Sequence, residues 1–301
     1  MSTLSAEELE LLGEMPPEES PADPTPAISS TPASLPRSGS KSGYEAIVFD
    51  IETGPLPDDE LFARVGKFDP ASIQPFPAFD ESSVKYGNLK EEKRAEKLKA
   101  CIDQHALDKI AHDAKNATAE ADYIAGVKSK AALDAKTGRV LAIGYYFTED
   151  QSTDIEYIGY APGNIPPARD EAAVIRDFWG YVEAAPEHCR IVGHNIAGFD
   201  LPFLIQRSWI LGIEVPRGVI EGRFFAKKFA DTMQVWACGK VGNGSMAKLD
   251  DLAKVFGVGS KTGNGAMFAE LFEKDRAAAI EYLKNDVAIT YAVAKRMGVC
   301  K

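Results

Sequence analysis

The sequence lacks long apolar runs and a basic, apolar start. Nothing in its 301 residues approaches the roughly 20 consecutive apolar residues that a membrane helix requires. The first residues, MSTLSAEELELL, are acidic where a signal peptide would be basic. These absences disfavour a membrane protein and a secreted one, and we expect a cytoplasmic protein with no membrane partner.

Cysteine is also scarce. The chain has four, and no two of them form a CxxC pair: Cys101, Cys189, Cys238 and Cys300. Scattered cysteines of this kind are typical of free thiols and not of disulfides or zinc ligands. Cys101 could share a helix face with His105 and His112, but three candidates without a fourth are weak grounds for a metal site.

Positive charge is short overall, because the formal net charge is −11. This balance disfavours non-specific binding to nucleic acid. The charge is unevenly spread, however: residues 217–261 carry eight bases and only four acids. A basic segment inside an acidic protein is compatible with a local track for phosphate groups.

The first 43 residues are rich in Pro, Ser and Glu and poor in large apolar residues. Such a segment cannot bury enough surface to offset the entropy lost on ordering, so we predict a disordered tail over 1–43. One part could fold on a protein partner, since SAEELELL opens with a capping-box pattern of Ser5 and Glu8. The plainer interpretation is a solubilising tail.

Residues 44–301 are predicted to form one α/β domain. Alternation and apolar runs predict five strands, at Glu45–Asp50, Arg139–Glu149, Thr153–Ala161, Cys189–His194 and within Arg223–Met233. Helical spacing predicts helices at Asp170–Ala185, Asp200–Gly212, Ser245–Phe256 and Arg276–Met297. A hairpin followed by helix crossovers indicates a mixed sheet.

A long segment, about 56–137, separates the first strand from the second. Its first part, 58–88, is rich in proline and resembles a loop, whereas 89–133 is rich in Ala, Lys and Glu and is typical of one or two helices. We interpret the segment as an insertion in the sheet domain. Its mixed charges are those of a solvated helix face, and a lid or strand-guiding role is the alternative.

Two carboxylates stand at the end of the first strand, in EAIVFDIETGP. Residues two apart in a strand point to the same face, so Asp50 and Glu52 converge if the strand continues through Thr53. Two carboxylates held close are unfavourable unless a cation or a proton sits between them. Hard oxygen ligands favour Mg²⁺ or Mn²⁺. The alternative is that both acids merely polarise a turn at Gly54-Pro55.

Two further acids lie on elements that could reach the same place. Asp200 follows a buried strand in IVGHNIAGFDLPFLIQR, where it could equally be a plain N-cap. Asp286 shares a helix face with Tyr282 in EYLKNDVAITYAVAKR, and that face should pack on the sheet. Open α/β sheets place their sites where the carboxyl ends of neighbouring strands meet, which would bring Asp200 near Asp50.

Together these stretches resemble a family. Asp50-Ile51-Glu52, Asn195-x-x-x-Phe199-Asp200 and Tyr282-x-x-x-Asp286 resemble the three exonuclease motifs of DnaQ-like 3′–5′ exonucleases, in the tyrosine (DEDDy) form. The proofreading exonuclease domain of family-B DNA polymerases is the most similar, here without a polymerase. The resemblance covers residues 44–55 and about 137–296, and leaves the tail and the insertion unexplained.

The resemblance implies an RNase H-like fold, α/β with a mixed five-stranded sheet flanked by helices and here with a helical insertion after the first strand. It implies that Asp50 bridges two ions of Mg²⁺ or Mn²⁺, that Glu52 and Asp286 complete the first site, and that Asp200 serves the second. The reaction would release nucleoside 5′-monophosphates from the 3′ end of single-stranded DNA or from frayed 3′ ends. Tyr282, with an ordinary pKa near 10, would orient the attacking water and not act as a base.

Four residues are candidates for holding the substrate: Asn195, Phe199, Lys248 and Lys261. Each has a plainer role, namely a turn for Asn195, core packing for Phe199, and ordinary flexible loops around the two lysines. His194 is interpreted as structural, and Asp231 as a helix cap or a support for the site.

Three rival functions remain open. A haloacid-dehalogenase-like phosphatase would use Asp50 as its nucleophile, but its second acid is normally Asp, and it leaves the other two motifs unexplained. A nucleic-acid-binding protein with this fold but weak catalysis could have lost any of the four acids, and all four are present. An RNA exonuclease would use the same metal site, so DNA is favoured over RNA only by the resemblance.

Overall fold

A five-stranded mixed sheet is the centre of the protein. In a computed structural model, which describes residues 45–159, 168–221, 224–239, 246–263 and 265–301, the strands are β1 Ala46–Pro55, β2 Gly138–Phe147, β3 Ser152–Tyr157, β4 Arg190–Gly193, β5 Ile220–Glu221, β6 Phe224–Phe225 and β7 Phe229–Asp231. The sheet order is β3-β2-β1-β4-β7, and β5 pairs with β6 separately. The first three strands are antiparallel neighbours, whereas β4 and β7 continue the sheet in parallel.

Helices cover both faces of this sheet. Those in the described residues are α1 Asp58–Val65, α2 Glu91–Ala131, α3 Glu171–Ala184, α4 Asp200–Ile210, α5 Thr232–Ala237, α6 Leu249–Phe256, α7 Phe268–Lys274 and α8 Arg276–Arg296. None of them is long and apolar enough to cross a membrane. The five-stranded mixed sheet with helices on both faces confirms the predicted α/β fold of the RNase H-like class. The predicted disordered tail lies outside the described residues.

The core has a layer on each face of the sheet. On one face, Phe49 and Tyr145 pack with Phe178 of α3 and Leu204 of α4. The other face carries Leu141, Phe268 and Leu283 in a second cluster, which docks α7 and α8. At Gly144 a Cβ would lie only 2.9 Å from Leu283, so glycine is what lets α8 approach β2.

Some predicted boundaries were wrong. β1 runs five residues further than Asp50, to Pro55, and so includes Glu52 and Thr53. The segment that resembled a loop begins with α1, because Leu61 is buried and three acids occupy the first helical turn, where they favour the helix dipole. Helices α5 and α7 escaped prediction because six or seven residues are too few to show helical periodicity.

The insertion contains the short helix α1, the long helix α2 and, between them, residues 66–90, which form a strap beside α2. Helix α2 has 41 residues, and the only buried one is Ala131 at its end. The preceding chain packs along it through aromatic contacts: Phe76 lies 4.8 Å from the ring of His105 and 5.1 Å from that of His112. His105 also hydrogen-bonds the carbonyl of Pro77 at 3.0 Å. These two histidines thus hold the strap against α2.

The four cysteines are free thiols, as the sequence predicted.

The two ends of the insertion meet at the edge of the β1–β2 ladder. Pro55 pairs with Gly138, and the amide of Leu56 donates to the carbonyl of Thr137 at 2.9 Å. The hydroxyl of Thr53 also donates to Ala132 at 2.6 Å. The insertion therefore leaves and rejoins the sheet at one point, directly beyond Glu52.

Candidate active site

Strand β1 places Asp50 and Glu52 on one face, as the strand period predicts. Asp50 lies opposite Gly144 and Glu52 opposite Ala142 on β2. Both partners are small, which leaves room above the sheet for the carboxylates. The pairing register shifts between Glu52 and Thr53, and such bulges redirect side chains beside active sites.

Helix α8 delivers a third carboxylate to the same point. Asp286 and Tyr282 lie one turn apart on the face that packs against the sheet, and Asp286 is 0% exposed. Oxygen atoms of Asp50, Glu52 and Asp286 all lie within 4.8 Å of one another, which is close enough to share a metal ion. Asp286 Oδ1 accepts no hydrogen bond of regular geometry from the residues that the structure describes.

Asp200 stands beside this cluster at the start of α4. Strands β1 and β4 pair only from Ala46 to Val48, so the backbone of β1 beyond that point needs another partner. Asp200 provides that partner, because its Oδ1 accepts a hydrogen bond from the amide of Ile51 at 3.2 Å. Asp200 is buried, and burial followed by the charge of Asp50 raises its pKa well above the ordinary value.

Lys261 brings positive charge to the acids. Its Nζ lies 2.6 Å from Asp286 Oδ2 and 5.6 Å from the centre of the Tyr282 ring. Burial lowers the pKa of this ammonium, but Asp286 and then Asp50 and Glu52 outweigh that effect, so the pKa is raised and the group stays charged. The predicted substrate lysine thus contacts the acid cluster.

The electrostatics of the cluster are unfavourable without further cations. Burial first and Asp286 second raise the pKa of Asp50 to about 7, with Lys261 opposing them. Burial and then the charge of Asp50 raise the pKa of Glu52 well above its ordinary value. Burial also raises the pKa of Asp286, against the pull of Lys261. The ammonium of Lys261 therefore cannot balance the charges of the four carboxylates if all of them are ionised.

The loop between β4 and α4 is held by Asp231, the last residue of β7. Its carboxylate accepts the amides of Asn195 at 2.8 Å and Ala197 at 3.0 Å, and it also caps α5 through the amide of Met233 at 2.9 Å. Asn195 has a φ of 64°, a left-handed conformation that asparagine tolerates better than most residues. Asp231 thus shapes the turn that carries Asp200.

His194 is bonded on both sides of its ring. Nδ1 lies 2.9 Å from the hydroxyl of Thr232, and Nε2 lies 2.9 Å from the carbonyl of Ala247. Burial lowers its pKa, so the ring is neutral near pH 7. These contacts support the predicted structural role.

A cleft of about 860 Å³ opens beside two of the four carboxylates, whereas Asp200, Tyr282 and Asp286 are not among the described residues that line it. Asp50 and Glu52 form part of its floor, and Phe199 and Lys261 line it as well. Ala132 and neighbouring residues at the end of α2 form another wall, so the insertion borders the site. Two predicted substrate residues do not line this cleft: Asn195 lies within its own turn, and Lys248 is exposed at the start of α6.

Comparison with known families agrees with this geometry. Residues 132–301 match the model of a family described as a predicted 3′–5′ exonuclease related to the exonuclease domain of PolB. The chain belongs to this family. The matched range holds Asp200, Tyr282 and Asp286 but begins after Asp50 and Glu52, which join the other acids only through the folded sheet.

The other comparisons add little. No curated protein matches the chain. Among solved structures, it is similar to the family B DNA polymerase from the hyperthermophilic archaeon Pyrobaculum calidifontis, with 23% identity and a TM-score of 0.42 over 55% of this chain and 22% of that one. The chain thus spans about a fifth of that polymerase.

Sequence reasoning missed the role of Arg139, a charged residue of the cleft at the start of β2. The sequence pattern assigns it only to the beginning of the second strand. The signal was available, because the beginning of the second strand of an antiparallel hairpin lies beside the end of the first. Arg139 pairs with Gly54, two residues beyond Glu52.

Proposed function

We propose that the protein is a metal-dependent 3′–5′ exonuclease that removes nucleoside 5′-monophosphates from the end of single-stranded DNA. The observation that supports this proposal best is the set of four buried or half-buried carboxylates on three separate elements: Asp50, Glu52, Asp200 and Asp286. Desolvated acids of like charge are costly unless cations or protons compensate them, and structural stability alone gives no reason for such a cluster.

The donor set fits divalent cations. All four ligands are hard carboxylate oxygens, and Mg²⁺ and Mn²⁺ prefer such ligands over nitrogen or sulfur. The carboxylate of Asp286 lies beside Tyr282 and Lys261, but its buried oxygens accept no hydrogen bond of regular geometry from a described residue, so they could coordinate a cation. Asp50, Glu52 and Asp286 would hold one ion, and Asp50 with Asp200 a second. Bound divalent ions would supply Lewis-acid stabilisation of the charge that develops on the attacking and leaving oxygens.

Tyr282 positions the attacking water. Burial and then Asp286 and Glu52 raise the pKa of its phenol, so the hydroxyl stays protonated at neutral pH. It can donate a hydrogen bond but cannot serve as a general base there. Tyr282 therefore orients a water molecule and takes no proton from it.

Two residues of the cleft would hold the 3′ end. Phe199 is half-buried and presents an apolar surface to the cleft, suited to stacking on the terminal base. Lys261 contacts Asp286 and would turn toward the scissile phosphate once other cations neutralise the carboxylates. Asn195 and Lys248 stay predictions, with no contact in the cleft to support them.

A ladder assay tests the proposal. Single-stranded DNA and RNA, each labelled at the 5′ end, are incubated with the protein in Mg²⁺, Mn²⁺ or EDTA. We expect metal-dependent shortening from the 3′ end, faster on DNA than on RNA, and none with Asp50→Ala.

Glu156→Gln is the matched control, because Glu156 is another buried carboxylate of the same sheet whose pKa burial raises to about 7, yet it lies outside the cleft and contacts Arg169. This variant should cleave as the wild type does. Faster cleavage of RNA would change the proposed substrate from DNA to RNA. Cleavage of neither nucleic acid in any metal would refute the proposal.

A further inference from the structure

Arg139 differs from the other two partly or fully buried arginines of the described chain, Arg169 and Arg207. Arg169 contacts two carboxylates, those of Glu156 and Asp177. Arg207 forms a two-pronged pair with Glu171 at 2.8 and 2.6 Å and donates to a backbone carbonyl as well. Both of these guanidinium groups are thus matched with acceptors, as their desolvation requires.

Arg139 has no such match. Its Nε is buried and makes no hydrogen bond with any residue that the structure describes, and no described carboxylate forms an ion pair with it. Acids are nevertheless close at hand, because Asp58, Glu270 and Glu273 line the same cleft. A guanidinium that pairs with none of them keeps its donors available for a ligand that enters the cleft.

The other cations of the cleft are already engaged. Lys128 contacts Asp58 at 2.7 Å, and Lys261 contacts Asp286 at 2.6 Å. Among the described lining residues, Arg139 is therefore the cation without an acidic partner. Its planar fork of donors suits the paired oxygens of a phosphate group better than the point charge of a lysine does.

We propose that Arg139 binds a phosphate of the single-stranded nucleic acid that lies in the cleft. This phosphate belongs to the part of the strand that remains after the terminal nucleotide has left. The inference rests on the proposed function for the identity of the strand. It deepens that function because it gives the insertion boundary a role: Arg139 follows the insertion directly, at the paired position where the chain rejoins the sheet.

Binding measured without cleavage tests this inference. All proteins carry Asp50→Ala, so that the strand stays intact, and fluorescence anisotropy of a 5′-labelled oligothymidylate in Mg²⁺ gives the Kd over a series of KCl concentrations. Arg139→Met should weaken binding on the order of tenfold at low salt, as for one charged hydrogen-bonded contact. The slope of log Kd against log salt should fall by about 0.7, as for one phosphate of a single strand.

Two further variants sharpen the result. Arg139→Lys keeps the charge without the fork, so it should restore the salt slope but only part of the affinity. Arg190→Met is the matched control, because Arg190 is exposed at the opposite, amino-terminal end of β4, and it should change neither quantity. A structural role for Arg139 would instead lower the melting temperature and leave the salt slope unchanged.

Thymidine 5′-monophosphate separates the strand from the product. If Arg139→Met weakens binding of the mononucleotide but not of the strand, the contact is with the product and the inference is overturned. Unchanged affinity and slope for the strand would overturn it as well. The wild type could cleave no substrate while Arg139→Met still lowers the slope of log Kd against log salt. In that case the exonuclease proposal fails and the phosphate contact stands.

Discussion

Helices α2 and α8 are the longest in the described chain, and they use their length in opposite ways. Helix α2 buries one residue out of 41, whereas α8 buries nine out of 21. Helix α2 is stabilised by local terms, such as the pair of Lys109 and Asp113 one turn apart at 2.9 Å. Helix α8 is stabilised by the sheet, and only a helix of that kind can hold Asp286 away from water.

The contrast shows where the chemistry can reside. The carboxylates on α2 lie in solvent, whereas Asp286 on α8 is buried, has a raised pKa and has a fixed position beside β1. Helix α2 touches the site only through its last turn. The following experiments test this division between a packed helix that carries a carboxylate of the candidate site and a solvated helix that borders the site.

The largest effect should come from Asp286→Asn. The amide preserves the shape of the side chain but removes a charged ligand, so we expect exonuclease activity to fall by roughly a thousandfold or more. The metal-free protein should be no less stable, since like-charge repulsion is relieved. Asp113→Asn on α2 is the control, and initial rates on labelled DNA should not change. A rate loss below tenfold for Asp286→Asn would contradict the assignment.

Arg207→Met should have the largest effect on stability. Arg207 joins α4 to Glu171 of α3 and to the carbonyl of Ala135 at 2.9 Å, where the insertion returns to the sheet. Loss of one partner leaves Glu171 poorly solvated, so we expect the free energy of unfolding to fall by about 3–5 kcal/mol in urea titrations. A double variant with Glu171→Met should recover part of that loss. No recovery would show that the pair is not the cause.

The pH dependence of the metal-free protein should be smaller and has a definite sign. The folded pKa of Asp50 is about 7 against an ordinary 3.8, so the folded state holds a proton that the unfolded chain releases. The resulting stability is complete below the ordinary value and is lost as the pH rises through about 7. We expect the melting temperature in EDTA to fall by a few degrees from pH 5 to pH 8 relative to Asp50→Asn. Mg²⁺ should reverse the fall in the wild type, and parallel pH profiles for the two proteins would contradict the mechanism.

The smallest effect should come from the solvated helix. Ile110 on α2 is 66% exposed, so Ile110→Ser should change the free energy of unfolding by no more than about 0.5 kcal/mol. Val293→Ser on α8 is the comparison, because Val293 is fully buried and the change places a hydroxyl in the core. Chemical denaturation of both variants gives the difference. Equal losses would show that α2 packs more closely in solution than its exposure indicates.

The sequence was informative where periodicity and spacing act over many residues. The order of strands and helices and the convergence of Asp50 with Glu52 follow from a period of two and from parallel neighbours. The contact of Lys261 with Asp286 could not be predicted, because it depends on how the loop after α6 lies along the middle of α8. The sequence left two roles open for Asp231, a helix cap and a support for the site, because both roles have the same local pattern. In the structure it fills both roles.

The pairing of Pro55 with Gly138 makes the insertion a detachable module in a topological sense. The two cut points are already neighbours in a hairpin, so a tight turn could replace residues 56–137 without moving either strand. The entropy of closing a loop grows only with the logarithm of its length, at about 0.6 kcal/mol per doubling. The sheet therefore tolerates a long excursion there, and whatever the excursion carries arrives beside the carboxylates of the candidate site.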